Sequence, residues 1–353
     1  MKESLWKIGI SSLILFLFIL APFTVFGAEQ GSAPTAPKQI HKWRLEAFYP
    51  PPDDRFNIGL RELTKRIKDS TDGQVDITIY PGGALVPSPE IFKSVADGIL
   101  QMGVTAPSYH MGIMSFTIAT ELPFSFRNPD DVVKVMLDKG LRDFMREEYA
   151  KRGVHLLTWQ SGDALMILSK KPLRTKEDFK GVKIRGYGVY NAFLSKIGAS
   201  PVNIPLVETY TALSMGTVDG ALTGIGGHFS LKLYESAKYA MMPYVLGETM
   251  HDVTVSLKTW KSLPNDLQGR ITSVADDFAK WSIARFRGDY ERGMIDKMKK
   301  AGLQLVEIPP ETKDWLQTTA MEQWKEIAAK DANSAKAVKI VSDYLKEAGA
   351  IKK

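Results

Sequence analysis

From His41 onward the spacing of apolar and polar residues changes period in a way that lays out the elements. In HKWRLEAF, Trp43, Leu45 and Ala47 alternate with Lys42, Arg44 and Glu46, the pattern of a strand with one covered face. RFNIGLRELTKRIKDSTDG then places Phe56, Leu60, Leu63 and Ile67 at helical intervals and stops at Gly73. QVDITIYPGG returns to a period of two and ends in a Pro-Gly turn, PEIFKSVADGI predicts a short helix, and LQMGVTAP a third strand. Strand, helix, strand, helix, strand predicts a parallel, doubly wound α/β lobe. The pattern restarts with GVHLLTWQ and ALMILS as two strands and with TKEDFKGVKIRG leading into another. YNAFLSKIG follows as a helix closed by Gly198, and ETYTALSMG and VDGALTG give a further helix and strand. Two α/β lobes leave a cleft between them, and such folds hold ligands at the carboxyl ends of their strands.

Residues 265–301 change character. Leu267, Ile271, Val274, Phe278, Trp281, Ile283, Phe286, Tyr290, Met294 and Met298 recur at intervals of mostly three and four, with no proline among them. A helix of that length is on the order of 50 Å, enough to bridge both lobes, and the stutter at Gly288 marks a place for a kink. ETKDWLQTTAMEQWKEIAAK and SAKAVKIVSDYLKEAG predict two amphipathic helices that close the chain.

The beginning of the chain bears on location. Lys2 and Lys7 lead into the apolar run IGISSLILFLFILAPFTVF, which ends in the small residues Gly27 and Ala28. Such a run fits a secretory signal peptide or an uncleaved membrane anchor. The small residues and the Pro/Ser/Gly-containing stretch AEQGSAPTAPKQ after it favour the signal. The expected organisation is therefore a signal peptide at 1–27, a linker at 28–40, one lobe from 41–161 and 250–288, and a second from 162–249 and 289–353 with the C-terminal helices. A periplasmic location follows. Cysteine is absent, so the stability of an exported chain must come from its core and not from disulfides. The formal net charge of +6 becomes +5 without Lys2, Lys7 and Glu3. Acids interrupt the basic residues of KKPLRTKEDFKGVKIR and no aromatics interleave with them, which argues against nucleic acid and leaves anionic small solutes open.

Catalytic constellations are missing: no His-Glu-x-x-His, no Gly-x-Ser-x-Gly, no phosphate loop and no thiol. GYGVYN lacks the third glycine of a dinucleotide fingerprint. His41, His110, His155, His228 and His251 are scattered at no metal-ligand spacing. Asp53/Asp54 and Asp276/Asp277 read as solvated pairs in polar turns or on a helix surface.

Three blocks taken together carry a resemblance. YPGGALVPSPEIFKSVADGILQMGVTAPSYHMG, ELPFSFRNPDD and KGVKIRGYGVYNAFLSKIGASPVNIPLVETYTALSMGTVDG, in this order and spacing, resemble the substrate-binding proteins of tripartite ATP-independent periplasmic (TRAP) transporters. The resemblance implies two α/β lobes that close over a small organic acid, a long inter-lobe helix, membrane permease subunits as partners and a monomeric receptor that is not an enzyme. It also implies an arginine on the ligand carboxylate, which by position is Arg185. A planar guanidinium suits that task by giving two parallel hydrogen bonds. The same sequence departs from the pattern. Ala164 stands where many members carry a second arginine, and Thr223 where many carry an asparagine. Ala221-Leu222-Thr223 replaces the Glu-Trp with which one branch helps to hold a metal, so no metal and no cofactor are expected. These departures point to a monocarboxylate with an apolar or aromatic body. The other cleft candidates are Tyr109 and His110 after the third strand, Phe48 and Tyr49 after the first, Trp159, Tyr187, Glu208 and His251. A competing reading is a periplasmic lyase or isomerase acting on a carboxylate through Tyr109, His110 or Asp163. A third is a sensor that presents its ligand to a membrane kinase.

Overall fold

A computed structural model describes residues 39–126, 128–242 and 247–351. The expected signal peptide and all but the last two residues of the expected linker lie outside the described residues. Among the described residues no helix is long and apolar enough to cross a membrane.

β1 (His41–Ala47) buries Trp43, Leu45 and Ala47, as its alternation requires. Glu46 is buried as well, because its carboxylate accepts the backbone N–H groups of Leu85 and Val86 at 3.1 and 3.0 Å. The chain continues through a π-helical turn at Arg55–Leu60 into α1 (Arg61–Ser70), then β2 (Val75–Tyr80), α2 (Ile91–Ala96), β3 (Met102–Thr105), α3 (Pro129–Val133) and α4 (Leu141–Ala150). β4 (Val154–Ser169) is a single strand of 16 residues where the sequence pattern suggests two. Its register against a neighbour shifts between Ser161 and Ala164, so Gly162 and Asp163 form a bulge and not a break.

β5 (Lys183–Gly186), α5 (Gly188–Lys196), β6 (Ser200–Asn203), α6 (Thr209–Ser214), β7 (Gly220–Gly224) and α7 (Ile225–Ser230) follow. β8 (Tyr239–Met242), β9 (Glu248–Ser256), α8 (Leu257–Lys261), α9 (Asn265–Phe286), α10 (Asp289–Lys300), β10 (Gln304–Glu307), α11 (Pro310–Ala328) and α12 (Ala332–Glu347) complete the chain.

The strands make two halves that share β4. The first runs β2-β1-β3-β9-β4, with β1 parallel to β2 and β3 and β9 antiparallel to its neighbours. In the second, β6, β5 and β7 are parallel, and β7 and β8 pair antiparallel with the C-terminal end of β4, β10 joining β8. The sheet is thus mixed, and each half mainly carries its parallel strands beside one or two antiparallel ones. At the shared end of β4, side chains alternate between two cores: Leu165 and Ile167 enter one, and Ala164, Met166 and Leu168 the other.

The apolar series at 265–301 forms one bent helix. α9 ends at Phe286, Arg287 is extended, and Gly288 takes φ +62°, a left-handed conformation that favours glycine, before α10 begins. α9 packs on α1 and β4 and α10 on α7, so the bent element spans both halves. Arg287 fills the bend by pairing with Glu248 and Glu291, and Glu291 also accepts the backbone N–H of Ala164 at 3.0 Å. The two closing helices, expected with the second lobe, serve both halves. α12 lies on α4 and on the turns at Ser115–Thr120, while α11 reaches α5, where Gln323 donates to the carbonyl of Val189 at 2.8 Å.

Candidate functional site

The carboxyl ends of β1, β3, β5 and β7 converge. Phe48 follows β1, Tyr109 lies just beyond β3, Arg185 is next to last in β5, and Thr223 is next to last in β7. All four line one small inner chamber of about 20 Å³, with Arg55, Leu165, Thr249 and His251 among the other lining residues. Room for about one water-sized group fits the head of a ligand, not its body. Phe48, Tyr109, Tyr187 and Leu206 also line an outer chamber of about 350 Å³.

Arg185 is 1% exposed. Its Nε donates to the carbonyl of Ile204 and one terminal nitrogen to the carbonyl of Leu222, both at 3.0 Å. The guanidinium carbon lies 5.1 Å from the ring centre of Tyr187. No carboxylate among the described residues pairs with it, in contrast to the surface ion pair that an isolated arginine usually makes. Burial lowers its hold on the proton, and Tyr109 and Tyr187 oppose that effect; a guanidinium remains charged throughout the physiological range. The chamber therefore contains a desolvated cation that lacks a counter-charge.

Arg55 is the opposite case. It is buried and pairs with Asp53 and, at 2.6 Å, with Asp163, whose other contact is the backbone N–H of Gly226 at 2.8 Å. Burial works against its charge, and the two carboxylates more than restore it. Asp53, read from sequence as solvated, is 2% exposed and fully engaged by this arginine; the turn places Asp53 and Arg55 two residues apart so that one closes on the other. Its partner Asp54 is half-buried and accepts the Tyr290 hydroxyl at 2.5 Å. Behind the chamber Tyr49 and His251 share a 2.5 Å hydrogen bond between the hydroxyl and Nδ1, and burial, helped by the charge of Arg55, keeps His251 neutral.

The turn after β3 is held from below. Glu121 accepts the backbone N–H of Ser108 at 2.7 Å and also its hydroxyl, fixing the neighbouring Tyr109 at the chamber wall. Across the cleft that turn meets Gly188, the first residue of α5. A Cβ on Gly188 would lie 2.0 Å from Cβ of Ser108, and its φ is +48°. The glycine that gave a false hint of a nucleotide fingerprint is thus required by close approach and backbone conformation.

Of the ten residues singled out from sequence, Arg185, Thr223, Tyr109, Phe48, Tyr187 and His251 line the chambers. Tyr49 stands behind the wall, acting on it through His251. The remaining three lie elsewhere. His110 stacks on Phe92 and bonds to Tyr149 at 3.0 Å, on the far side of the turn from its neighbour Tyr109. Trp159 is core within β4, and Glu208 is an exposed residue at the start of α6 with no side-chain capping bond. Ala164, proposed to replace a second arginine, faces the other core, while the adjacent Leu165 lines the chamber. Residues missed were Arg55, Leu165, Leu206 and Thr249. Arg55 carried only the weak signal of a basic residue just after the first strand. No group of three or more His, Asp or Glu among the described residues is arranged to hold a metal ion.

Comparison with known proteins adds the family. Residues 48–331 match the family model described as bacterial extracellular solute-binding protein, family 7. A Nostoc protein named a monocarboxylate 2-oxoacid-binding periplasmic protein is 25% identical over 82% of this chain and 80% of its own length. A Rhodobacter capsulatus protein named a C4-dicarboxylate-binding periplasmic protein is 26% identical over 78% of this chain and 81% of its own. Among solved structures, a Bordetella pertussis extracytoplasmic solute receptor binding pyroglutamic acid superimposes with a TM-score of 0.79 at 19% identity, covering 86% of this chain and 99% of that one, which shows the shared fold.

The buried Glu121 generates a pH dependence. Burial raises its pKa from 4.5 to about 8, against the pull of the Ser108 hydrogen bonds. A pKa raised on folding gives stability that is complete below the unfolded value and is lost as pH rises through the folded one. Glu248, raised to about 7 by burial, adds in the same sense. Buried His155, His228 and His251, whose pKa values burial lowers, act in the opposite sense below about pH 6.5 in wild type and variant alike. Between about pH 5.5 and 8.5 the melting temperature of wild type should therefore fall relative to that of Glu121→Gln. An equal change in both proteins, measured by circular dichroism, contradicts the assignment.

Proposed function

The chain belongs to the DctP family of bacterial extracellular solute-binding proteins, the periplasmic receptors of TRAP transporters, and from that premise we propose that its ligand is a small monocarboxylate with an apolar or aromatic body, anchored on Arg185. Receptors of this family bind small organic acids and work with membrane permease components; they are transport proteins and not enzymes. The observation that carries the proposal is the buried guanidinium of Arg185, satisfied on two sides by carbonyls and, among the described residues, by no carboxylate. An anionic ligand group supplies the missing charge, and in a cleft that excludes water the resulting pair is strong.

Charge counting limits the ligand to one such group. The other cation of the inner chamber, Arg55, already answers to Asp53 and Asp163, so a second ligand carboxylate meets no free cation there. Phe48, Tyr109 and Tyr187 make an aromatic neck beyond the anchor, with ring centres 5.7 Å apart for the first two and 6.3 Å for the last two. Such walls suit an apolar or aromatic body. Lyase or isomerase chemistry has little support from the residues considered for it: His110 is turned away into the core, Asp163 is committed to Arg55 and Gly226, and Tyr109 lines the chamber but burial raises its pKa, so its hydroxyl keeps its proton.

Binding by closure follows from the chain's two-sided contribution to the site. Phe48 and Tyr109 come from the strands of the first half and Arg185, Tyr187 and Thr223 from the second, so only the closed form offers a ligand all of its contacts. The proposed receptor acts as a monomer that hands its acid to the permease.

Two substitutions test anchor and closure separately, both by titration calorimetry with aromatic and aliphatic monocarboxylates. Arg185→Ala removes a desolvated ion pair and should cost about 2 to 5 kcal/mol, a loss of at least tenfold in affinity; unchanged affinity refutes the anchor. Gly188→Ala leaves the cation in place but blocks the approach of Ser108, and should weaken binding about tenfold or more. Wild-type affinity in that variant refutes closure through this contact.

A further inference from the structure

The outer chamber differs from the inner one in a way that bears on the far end of the ligand. None of its lining residues carries a charge. Its walls are apolar at Met111, Ile204, Pro205, Leu206 and Val207, and its polar groups include the two carboxamides of Asn191 and Asn203. These belong to different elements. Asn191 stands in the first turn of α5, with Oδ1 shielded from solvent and without a hydrogen-bond partner, close above Gly186, where a Cβ would lie 2.3 Å from it. Asn203 ends β6 at the exposed rim, and its Oδ1 accepts from Nδ2 of Asn191 at 3.3 Å, a long bond. Two amides thus meet at the chamber wall with one weak hydrogen bond between them; with Oδ1 of Asn191 packed over Gly186, the spare capacity is the second N–H of Asn191 and the exposed amide of Asn203.

We infer that the outer chamber is a second subsite, in which Asn191 and Asn203 recognise an uncharged hydrogen-bonding group at the end of the ligand remote from its carboxylate. This rests on the reading of Arg185 as the carboxylate anchor. At about 350 Å³ the chamber holds a ring-sized body. A charged tail meets no cation there and loses its water, whereas a hydroxyl or amide tail exchanges water for the carboxamides. The ligand class is therefore a monocarboxylate with an apolar, ring-sized middle and a neutral polar tip.

The test is titration calorimetry with benzoate, phenylacetate and hydrocinnamate, each beside its para-hydroxy and para-carboxy counterparts. In the series member whose length spans both chambers, the para-hydroxy acid should bind about three- to tenfold more tightly than its parent, and the para-carboxy acid more weakly than the parent. Asn191→Leu should abolish the hydroxyl advantage while leaving the parent acid within about twofold of wild type. Should that variant weaken both acids, Asn203→Ala at the exposed rim decides by the same criterion. No hydroxyl advantage in any pair, or one that survives the asparagine substitutions, overturns the subsite. If parents bind and Arg185→Ala abolishes that binding, such a result leaves the anchor standing. If no carboxylate binds at all, anchor and subsite fall together.

Discussion

A guanidinium withdrawn from water without an opposing carboxylate is the constraint around which this cleft is arranged. Isolating a charge from solvent is costly, and proteins normally compensate it inside the same chain. Arg55 shows the ordinary solution a few residues beyond β1, with Asp53 and Asp163 around it. Among the described residues Arg185 has the carbonyls of Ile204 and Leu222, the face of Tyr187 and the hydroxyl of Tyr109, none of them a carboxylate. The two arginines line one chamber, and the contrast between them is what the proposed roles rest on: Arg55 tied into the walls, and Arg185 as the anchor for a charge that arrives from outside.

The scaffold joins the two halves at a few places. Connections between the halves pass through β4 with its bulge at Gly162 and Asp163, through the run into β9, through the bend between α9 and α10, and through α11, which bonds to Val189 on one side and Pro123 on the other. Around that bend Arg287, Glu248 and Glu291 form a second buried ionic cluster. The halves also meet at the site, where Ser108 abuts Gly188 and Arg55 reaches Asp163, and where Phe124 packs on Phe193 of α5. A ligand shifts the balance toward a closed form only by the contacts it gains there, and in the proposed reading the aromatic neck together with Arg185 supplies them from both sides.

Much of the fold was legible along the chain because period-two and helical spacing report directly on burial. β1, α1 and the long bent helix stand where the pattern places them, and the kink falls at Gly288, whose left-handed φ is the physical cause. β4 was read as two strands because Gly162 and Asp163 interrupt its apolar run, and a bulge looks like a break in one dimension. The site was legible in part. Arg185 was marked by the resemblance, and Phe48, Tyr109 and Tyr187 by their place at strand ends. His110 failed because consecutive residues of the turn face opposite ways, and Trp159 because a strand interior buries an aromatic as readily as a cleft does. Arg55 escaped notice since its meaning depends on Asp163, 108 residues away, a distance that no local pattern spans.

A crystal structure of the protein with a bound aromatic monocarboxylate examines the central claim most directly. The account predicts a carboxylate oxygen within about 3 Å of a terminal nitrogen of Arg185, in the inner chamber, with the Arg55 pairs to Asp53 and Asp163 intact. A carboxylate resting on Arg55 or on the outer rim, with Arg185 turned toward solvent, contradicts it.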